Sequence, residues 1–265
     1  MGKRIGFFIF IIGLLVRNTL PAGVTVLGDL THEKNVLPGE TYSGVIIILN
    51  TGEEPEEIKV YQTDYLFFRD GTSVYGNPGE VLRSNAAWIS FSQKRFTVAP
   101  KQRQTVHYTV EVARREDLSG TYWSVLMVEA VPRISPESME KSGLGIRTVL
   151  RYGVQMISHI GNSGTRELKF LGSKLLNEEG KKILQVDIEN TGERLLRPEV
   201  WAEFYDKNGV SISTFEGMKL RTYPGTSVRY KIDVSSAPGG TYKVLVVADC
   251  GGNDLFGIQY AVQIE

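Results

Sequence analysis

The sequence predicts an all-β fold of two tandem immunoglobulin-like β-sandwich domains after an N-terminal signal peptide. Three observations carry this: an internal repeat, a period of two inside the repeated blocks, and regular punctuation by Gly, Pro and Asn. No segment after residue 23 shows a long, clean helical period.

The first 23 residues stand apart. Lys3 and Arg4 precede a 12-residue apolar run, Ile5 to Val16, and Leu20 to Gly23 offer a cleavage region. This is the pattern of a signal peptide, and the run is short for a membrane span. An uncleaved anchor is the alternative. Without this segment the chain carries 27 basic and 30 acidic residues, a net charge of −3. That balance excludes the basic footprint of a nucleic-acid binder. The expected division is 1–23 signal, 24–160 first domain, 161–164 linker and 165–265 second domain.

The repeat sets that division. Ile48-Leu-Asn-Thr-Gly-Glu53 returns as Ile188-Glu-Asn-Thr-Gly-Glu193, an offset of 140. A strand-like run follows each copy, Ile58 to Phe68 and Pro198 to Tyr205, and ends in an acidic-Gly turn. Val106–Val112 matches Val228–Val234, and Gly120–Ala130 matches Gly240–Cys250, now at an offset of 120. The first copy therefore holds about 20 extra residues between Asp70 and Val106. Val106, Tyr108, Val110 and Val112 alternate with polar neighbours, as do Val228, Tyr230, Ile232 and Val234, which marks strands with one face on a core. Tyr122 and Tyr242 open matching apolar strands, where a tyrosine corner is expected.

Residues that carry chemistry are sparse. His32, His107 and His159 lack metal-ligand spacing and read as surface or domain-edge residues. Gly161-Asn-Ser-Gly164 joins two β domains and is no nucleophile elbow. Gly143-Leu-Gly145 has no following helix and is too little for a phosphate loop. Asp249 to Asp254 reads as a hairpin turn rather than a Ca²⁺ loop, and Glu53 to Glu57 as a solvated loop. Cys250, the single cysteine, excludes an intramolecular disulfide and reads as a small buried residue on a strand. The expectation is a protein that is not an enzyme, with no cofactor and no metal. A carbohydrate-processing accessory role would need Trp88, Trp123 and Trp201 to line one surface; Trp201 is expected mainly in the core.

One segment invites a functional reading. A polar loop, Pro132 to Gly145, precedes Ile146 to Ile160, a run of 15 residues that is long for a strand. Ile146, Leu150, Tyr152, Val154 and Met156 share one face; Arg147, Arg151 and Gln155 share the other. As the last strand of its domain it is a candidate edge, and an apolar edge is a hazard unless covered or used. One use is β-augmentation by a partner strand. An ordinary paired core strand is the other reading.

Here the chain resembles the PapD-like periplasmic pilus-assembly chaperones. The resemblance covers most of the mature chain. It rests on the export signal, two Ig-like domains with the first longer, Asn50-Thr-Gly52 after an apolar strand, and Ala87-Trp-Ile89. Phe96-Thr-Val-Ala-Pro100 with Gln104-Thr-Val106, and the long loop before Ile146 to Ile157, complete it. It implies a periplasmic or cell-envelope chaperone that donates this strand to an incomplete Ig-like pilin or surface-fibre subunit, with Ile146, Arg147, Leu150, Arg151, Tyr152, Val154 and Met156 as the partner-binding strand. The family anchors its subunit's C-terminal carboxylate with an Arg on the first strand and a Lys on the last. Between Val24 and Tyr42 this chain has no Arg, and Lys34 is the only basic residue besides His32; neither Arg147 nor Arg151 sits in a clean copy of the motif. The alternative is a structural or adhesive Ig-like surface module without a client.

Overall fold

Period-two runs become strands wherever the sequence alternates. The computed structural model describes residues 23–131 and 149–264. The first sandwich holds β1 (Val24–Leu27), β2 (Thr31–Val36), β3 (Thr41–Asn50), β4 (Glu56–Phe67), β5 (Ser73–Gly76), β6 (Ile89–Phe91), β7 (Arg95–Val98), β8 (Arg103–Glu111), β9 (Gly120–Ala130) and β10 (Arg151–Ile160). The second holds β11 (Leu168–Glu178), β12 (Lys181–Asn190), β13 (Glu199–Tyr205), β14 (Ser211–Glu216), β15 (Ser227–Asp233), β16 (Gly240–Asp249) and β17 (Leu255–Ile264). Residues 1–22 of the expected signal segment, and Gly143-Leu-Gly145, lie outside the described residues.

Among the described residues, the second sandwich faces a β11-β12-β15 sheet against a β14-β13-β16-β17 sheet. The first repeats those pairings: β1-β3-β8 matches β11-β12-β15, and β5-β4-β9-β10 matches β14-β13-β16-β17. Its extra residues build β6, which extends the β1-β3-β8 sheet, and β7, which pairs with the start of β4. Each sandwich encloses its own apolar core. Ile48, Val106, Leu126 and Met156 sit in the first; Ile188, Phe204, Ile232 and Val246 sit in the second.

The first strand region divides between the two sheets. β1 runs antiparallel to β3, whereas β2 runs parallel to β10 in the opposite sheet. Gly28 stands at the crossing with φ of 88°, in the left-handed region that favours glycine.

The repeated Asn-Thr-Gly has a structural cause. Asn50 and Asn190 are fully buried. The Asn50 amide donates to the Glu54 carbonyl at 2.7 Å and the Val98 carbonyl at 3.0 Å, and its oxygen accepts from Gly52 N–H at 2.8 Å. Asn190 does the same with the Arg194 and Thr222 carbonyls at 2.7 and 2.8 Å and Gly192 N–H at 3.0 Å. One side chain thus satisfies the turn's buried main chain in both copies, which a hydrophobic residue cannot do.

Some residues meet the sequence expectations and others depart from them. Tyr242 donates to the Pro238 carbonyl at 2.9 Å and forms the expected corner. Tyr122 makes no such bond; its ring lies 4.9 Å from Trp88 and under the Arg83 guanidinium. Cys250 is half-buried in the β16–β17 turn rather than on a strand; burial raises its thiol to about 11. That turn is the expected hairpin, closed by Cys250 N–H on the Asp254 carbonyl. Trp201 is only partly buried and donates to Glu203 at 2.7 Å, because its strand position faces outward, so it is not a core residue. The three tryptophans line no common surface: Trp88 packs on the first core and Trp123 lies between the sandwiches. Glu53 to Glu57 is only half loop, since β4 begins at Glu56; Glu53 pairs with Lys101 and Glu57 with Arg95.

Replacing Asn50 or Asn190 by Ala strands buried carbonyls and an N–H. Each substitution is expected to cost about 1–3 kcal/mol, read as a lower denaturant midpoint at unchanged slope.

Candidate partner-binding edge

β10 pairs with β9 along its whole length, from Arg151 opposite Glu129 to Ile160 opposite Gly120. Its other side is different. β2 covers only Gln155 to Ile160, in parallel, and the first bond is Gln155 N–H to the Leu30 carbonyl at 2.8 Å. Main-chain groups of an antiparallel strand alternate sides, so Arg151 and Gly153 turn theirs the same way as Gln155. Among the described residues no strand pairs with that side of β10 between Arg151 and Val154. The cause is the sheet change of the first strand: β2 reaches β10 only after Gly28 has carried the chain across.

The side chains on this half-edge differ from the sequence reading. Val154 and Met156 are 0% exposed and Tyr152 packs beside them, all in the first domain's own core. They stabilise this sandwich and are not open to a partner, which corrects the expectation of an open apolar face across them. Leu150 and Val149 are 55% and 38% exposed. Arg151 pairs with Glu129 at 3.1 Å, across the strand pair, and Tyr61 donates to the same carboxylate at 2.9 Å. Gly153 backs onto Val125 and Met127, where a Cβ would meet Val125 Cγ1 at 3.2 Å. Ile146 and Arg147 lie outside the described residues, and the described strand has 10 residues rather than 15.

The covered half of β10 is held by the second sandwich. Trp123, Ile157, Leu195 and Tyr223 form a buried apolar cluster between the two, with Leu66, Phe67 and Val81 against it. The Tyr223 ring lies 4.8 Å from Trp123 and edge-on to Phe67 at 5.8 Å. Its hydroxyl donates to Gln155 Oε1 at 2.5 Å, and Arg221 reaches Gln155 and Thr31. Burial pushes the Tyr223 phenol well above its ordinary range, so it stays a donor.

Charged nodes ring this cluster. Arg69 of the first sandwich meets Asp187 at 3.3 Å, which Arg229 also holds at 2.7 Å. Arg83 meets Glu193 at 2.6 Å, and Ser119 and the Thr165 N–H donate to the same carboxylate. Gly120 N–H donates to Ser163 Oγ at 3.2 Å, and a Cβ at Gly120 would come within 2.2 Å of the Glu193 carbonyl oxygen. Arg194 donates to the carbonyls of Gly161 and Ser163 in the connection between β10 and β11.

The histidines part company. His107 is exposed, as its alternation predicts, and His32 bonds the Tyr108 hydroxyl at 2.8 Å. His159 is 7% exposed and is a junction residue, not a surface one. Its Nδ1 meets Thr121 Oγ1 and its Nε2 meets Glu33, both at 2.8 Å. It does not contact Ser163, whose hydroxyl donates to the Ile160 carbonyl at 2.6 Å, so no nucleophile–base pair forms there. Among the described residues there is no group of three His, Cys, Asp or Glu placed to hold a metal ion. Lys34 lies over the Tyr42 ring and beside Glu40, away from the half-edge.

Truncating Tyr223 to Ala is expected to destabilise the protein by about 3–5 kcal/mol. Tyr223→Phe removes only the bond to Gln155 and is expected to cost about 0.5–1.5 kcal/mol. Thermal or denaturant unfolding of the two variants checks both values.

No protein-family model matches the chain, and no curated protein does. Solved structures do show likeness. A complex of chaperone and tip adhesin from CFA/I fimbriae biogenesis matches with a TM-score of 0.49 at 12% identity, over 90% of this chain and 98% of that one. The CsuC–CsuE chaperone–tip adhesion subunit complex of Acinetobacter baumannii matches with a TM-score of 0.44 at 13% identity, over 90% and 98%. The E. coli chaperone DraB matches with a TM-score of 0.43 at 11% identity, over 92% and 98%.

Proposed function

We propose that this protein is a non-enzymatic, exported chaperone of the periplasm or cell envelope that binds an Ig-like subunit by strand addition. Residues 24–160 and 165–265 are its two domains. The single observation that carries this reading is the half-covered β10. Arg151 and Gly153 present main-chain donors and acceptors on a side that β2 leaves open, beside the exposed Val149 and Leu150. A partner strand laid there satisfies the main chain in register, and a groove in the partner takes the apolar side chains that precede Arg151. Affinity comes from the ladder and specificity from those side chains.

The partner is an Ig-like pilin or surface-fibre subunit lacking a strand, because such a subunit offers both an unpaired edge and an exposed core. Within the proposed binding strand, Leu150 contacts the partner and Arg151 lies at the opening of the edge. Tyr152, Val154 and Met156 brace the strand from behind, through this protein's own core. Ile146 and Arg147, the remaining residues of the expected binding strand, lie outside the described residues. The Arg151–Glu129 pair keeps the guanidinium on the sheet, where it can also meet an acidic group of the partner.

Mature protein, co-expressed in the envelope with pilin-type subunits that lack a strand, is expected to co-purify with one of them. Leu150→Asp and Val149→Asp, both at exposed positions, are expected to weaken that complex roughly tenfold or more with unfolding midpoints unchanged. Failure to recover any such subunit, with the folded protein at full yield, contradicts the proposal and leaves a structural or adhesive surface module.

A further inference from the structure

A buried polar chain crosses the junction at His159. Leu195 N–H, in the segment after β12, donates to Thr121 Oγ1 on β9 at 2.9 Å. Thr121 is 0% exposed, and among the described residues its hydroxyl's remaining neighbour is His159 Nδ1 at 2.8 Å. The hydroxyl hydrogen therefore goes to Nδ1, which must be an acceptor. The proton of the neutral ring then sits on Nε2, facing Glu33 on β2 at 2.8 Å. Glu33 is also bound by Arg197 from the second sandwich. Thr121 N–H meanwhile donates to the Glu193 carbonyl at 2.8 Å. Every member of this chain is satisfied once, and only when the imidazole is neutral.

We infer that His159 is a pH-sensitive latch between the two sandwiches, closed when its ring is neutral and weakened when the ring takes a second proton. Protonation puts a hydrogen on Nδ1, so Thr121 Oγ1 must accept from both Leu195 N–H and His159. Its own hydroxyl hydrogen then has no acceptor in a site closed to water, and an unpaired buried donor is costly.

The charges around the ring are mixed. Glu33 on β2 favours the imidazolium, but Arg197 already binds that carboxylate. Arg194 and Arg197, from the segment after β12, oppose a further positive charge. Burial pushes Glu33 up, yet the bonds and charges of Arg197 and His159 outweigh it and hold its carboxyl below its ordinary value. The Glu193 carboxylate is turned away to Arg83, Ser119 and Thr165. On β9 the facing side chain is Thr121, which is uncharged. The balance lowers the affinity of His159 for a proton: burial is the largest cause, and Glu33 only partly offsets it.

The sign follows from linkage. A histidine whose folded-state pKa lies below its ordinary value binds a proton more readily once the junction opens. Its contribution is therefore present above the ordinary value of 6.5 and is lost as the pH falls through the folded-state value. This device stands on the junction alone and holds whether or not β10 receives a partner strand.

Hydrogen exchange on the full mature chain tests it. The Thr121 and Leu195 amides report opening of the junction; the Val128 and Val246 amides, on β9 and β16 in the two cores, report the fold. Between about pH 7.5 and about pH 5, protection of Thr121 and Leu195 is expected to fall, approaching about tenfold per pH unit, while the core amides hold. In His159→Gln, which cannot titrate, that dependence should vanish; in His107→Gln it should persist. Constant protection in the native protein overturns the proposal. So does an equal loss in His159→Gln, or an imidazole resonance of His159 that titrates at or above 6.5.

Discussion

Tyr223 against Trp123 is the contact on which the arrangement of this protein depends. It buries the largest aromatic pair of the junction and places a phenol hydroxyl on Gln155. Gln155 is also where β2 first bonds to β10. One residue thus marks the end of β10's cover and receives the grip of the second sandwich. Toward Ile160 the strand is fixed from both sides. Toward Arg151, among the described residues, β9 is the strand that fixes it.

Covered and uncovered halves of one strand need a rigid frame, because a mobile strand would close its own edge or fray. The frame here is a small apolar cluster ringed by Arg69–Asp187–Arg229, Arg83–Glu193 and Glu33–His159–Arg197. Exposed ion pairs contribute little on their own. Around a dry aromatic contact they fix orientation, and the glycines at 120 and 164 let the two main chains approach closely.

Much of this was legible in the sequence. The repeat foretold two like sandwiches, because matched strands are matched by what they bury, and Asn50 and Asn190 return for the same buried turn. The roughly 20 extra residues after Asp70 showed where the first copy is enlarged, but not that they build β6 and β7. The junction was harder to read, because it is written where the copies differ. Trp123 stands where the second copy has Lys243, and Glu193, the counterpart of Glu53, bonds across to Arg83 instead of to a neighbouring lysine. His159 looked like an edge residue because sequence spacing does not reveal Thr121 or Glu33 beside it. For Val154 and Met156 a partner-binding face and an ordinary core strand both stayed open, since alternation gives a side chain's side of the sheet but not what covers that side.

The half-open edge of β10 is most directly tested by the exchange rates of its own amides in the free mature protein. Arg151 and Gly153 N–H are predicted to exchange orders of magnitude faster than Gln155 and Ile157 N–H, which β2 holds, and to slow when a strand-lacking subunit is added. Protection at Gly153 equal to that at Gln155 in the free protein would mean the edge is already paired, and would contradict the account.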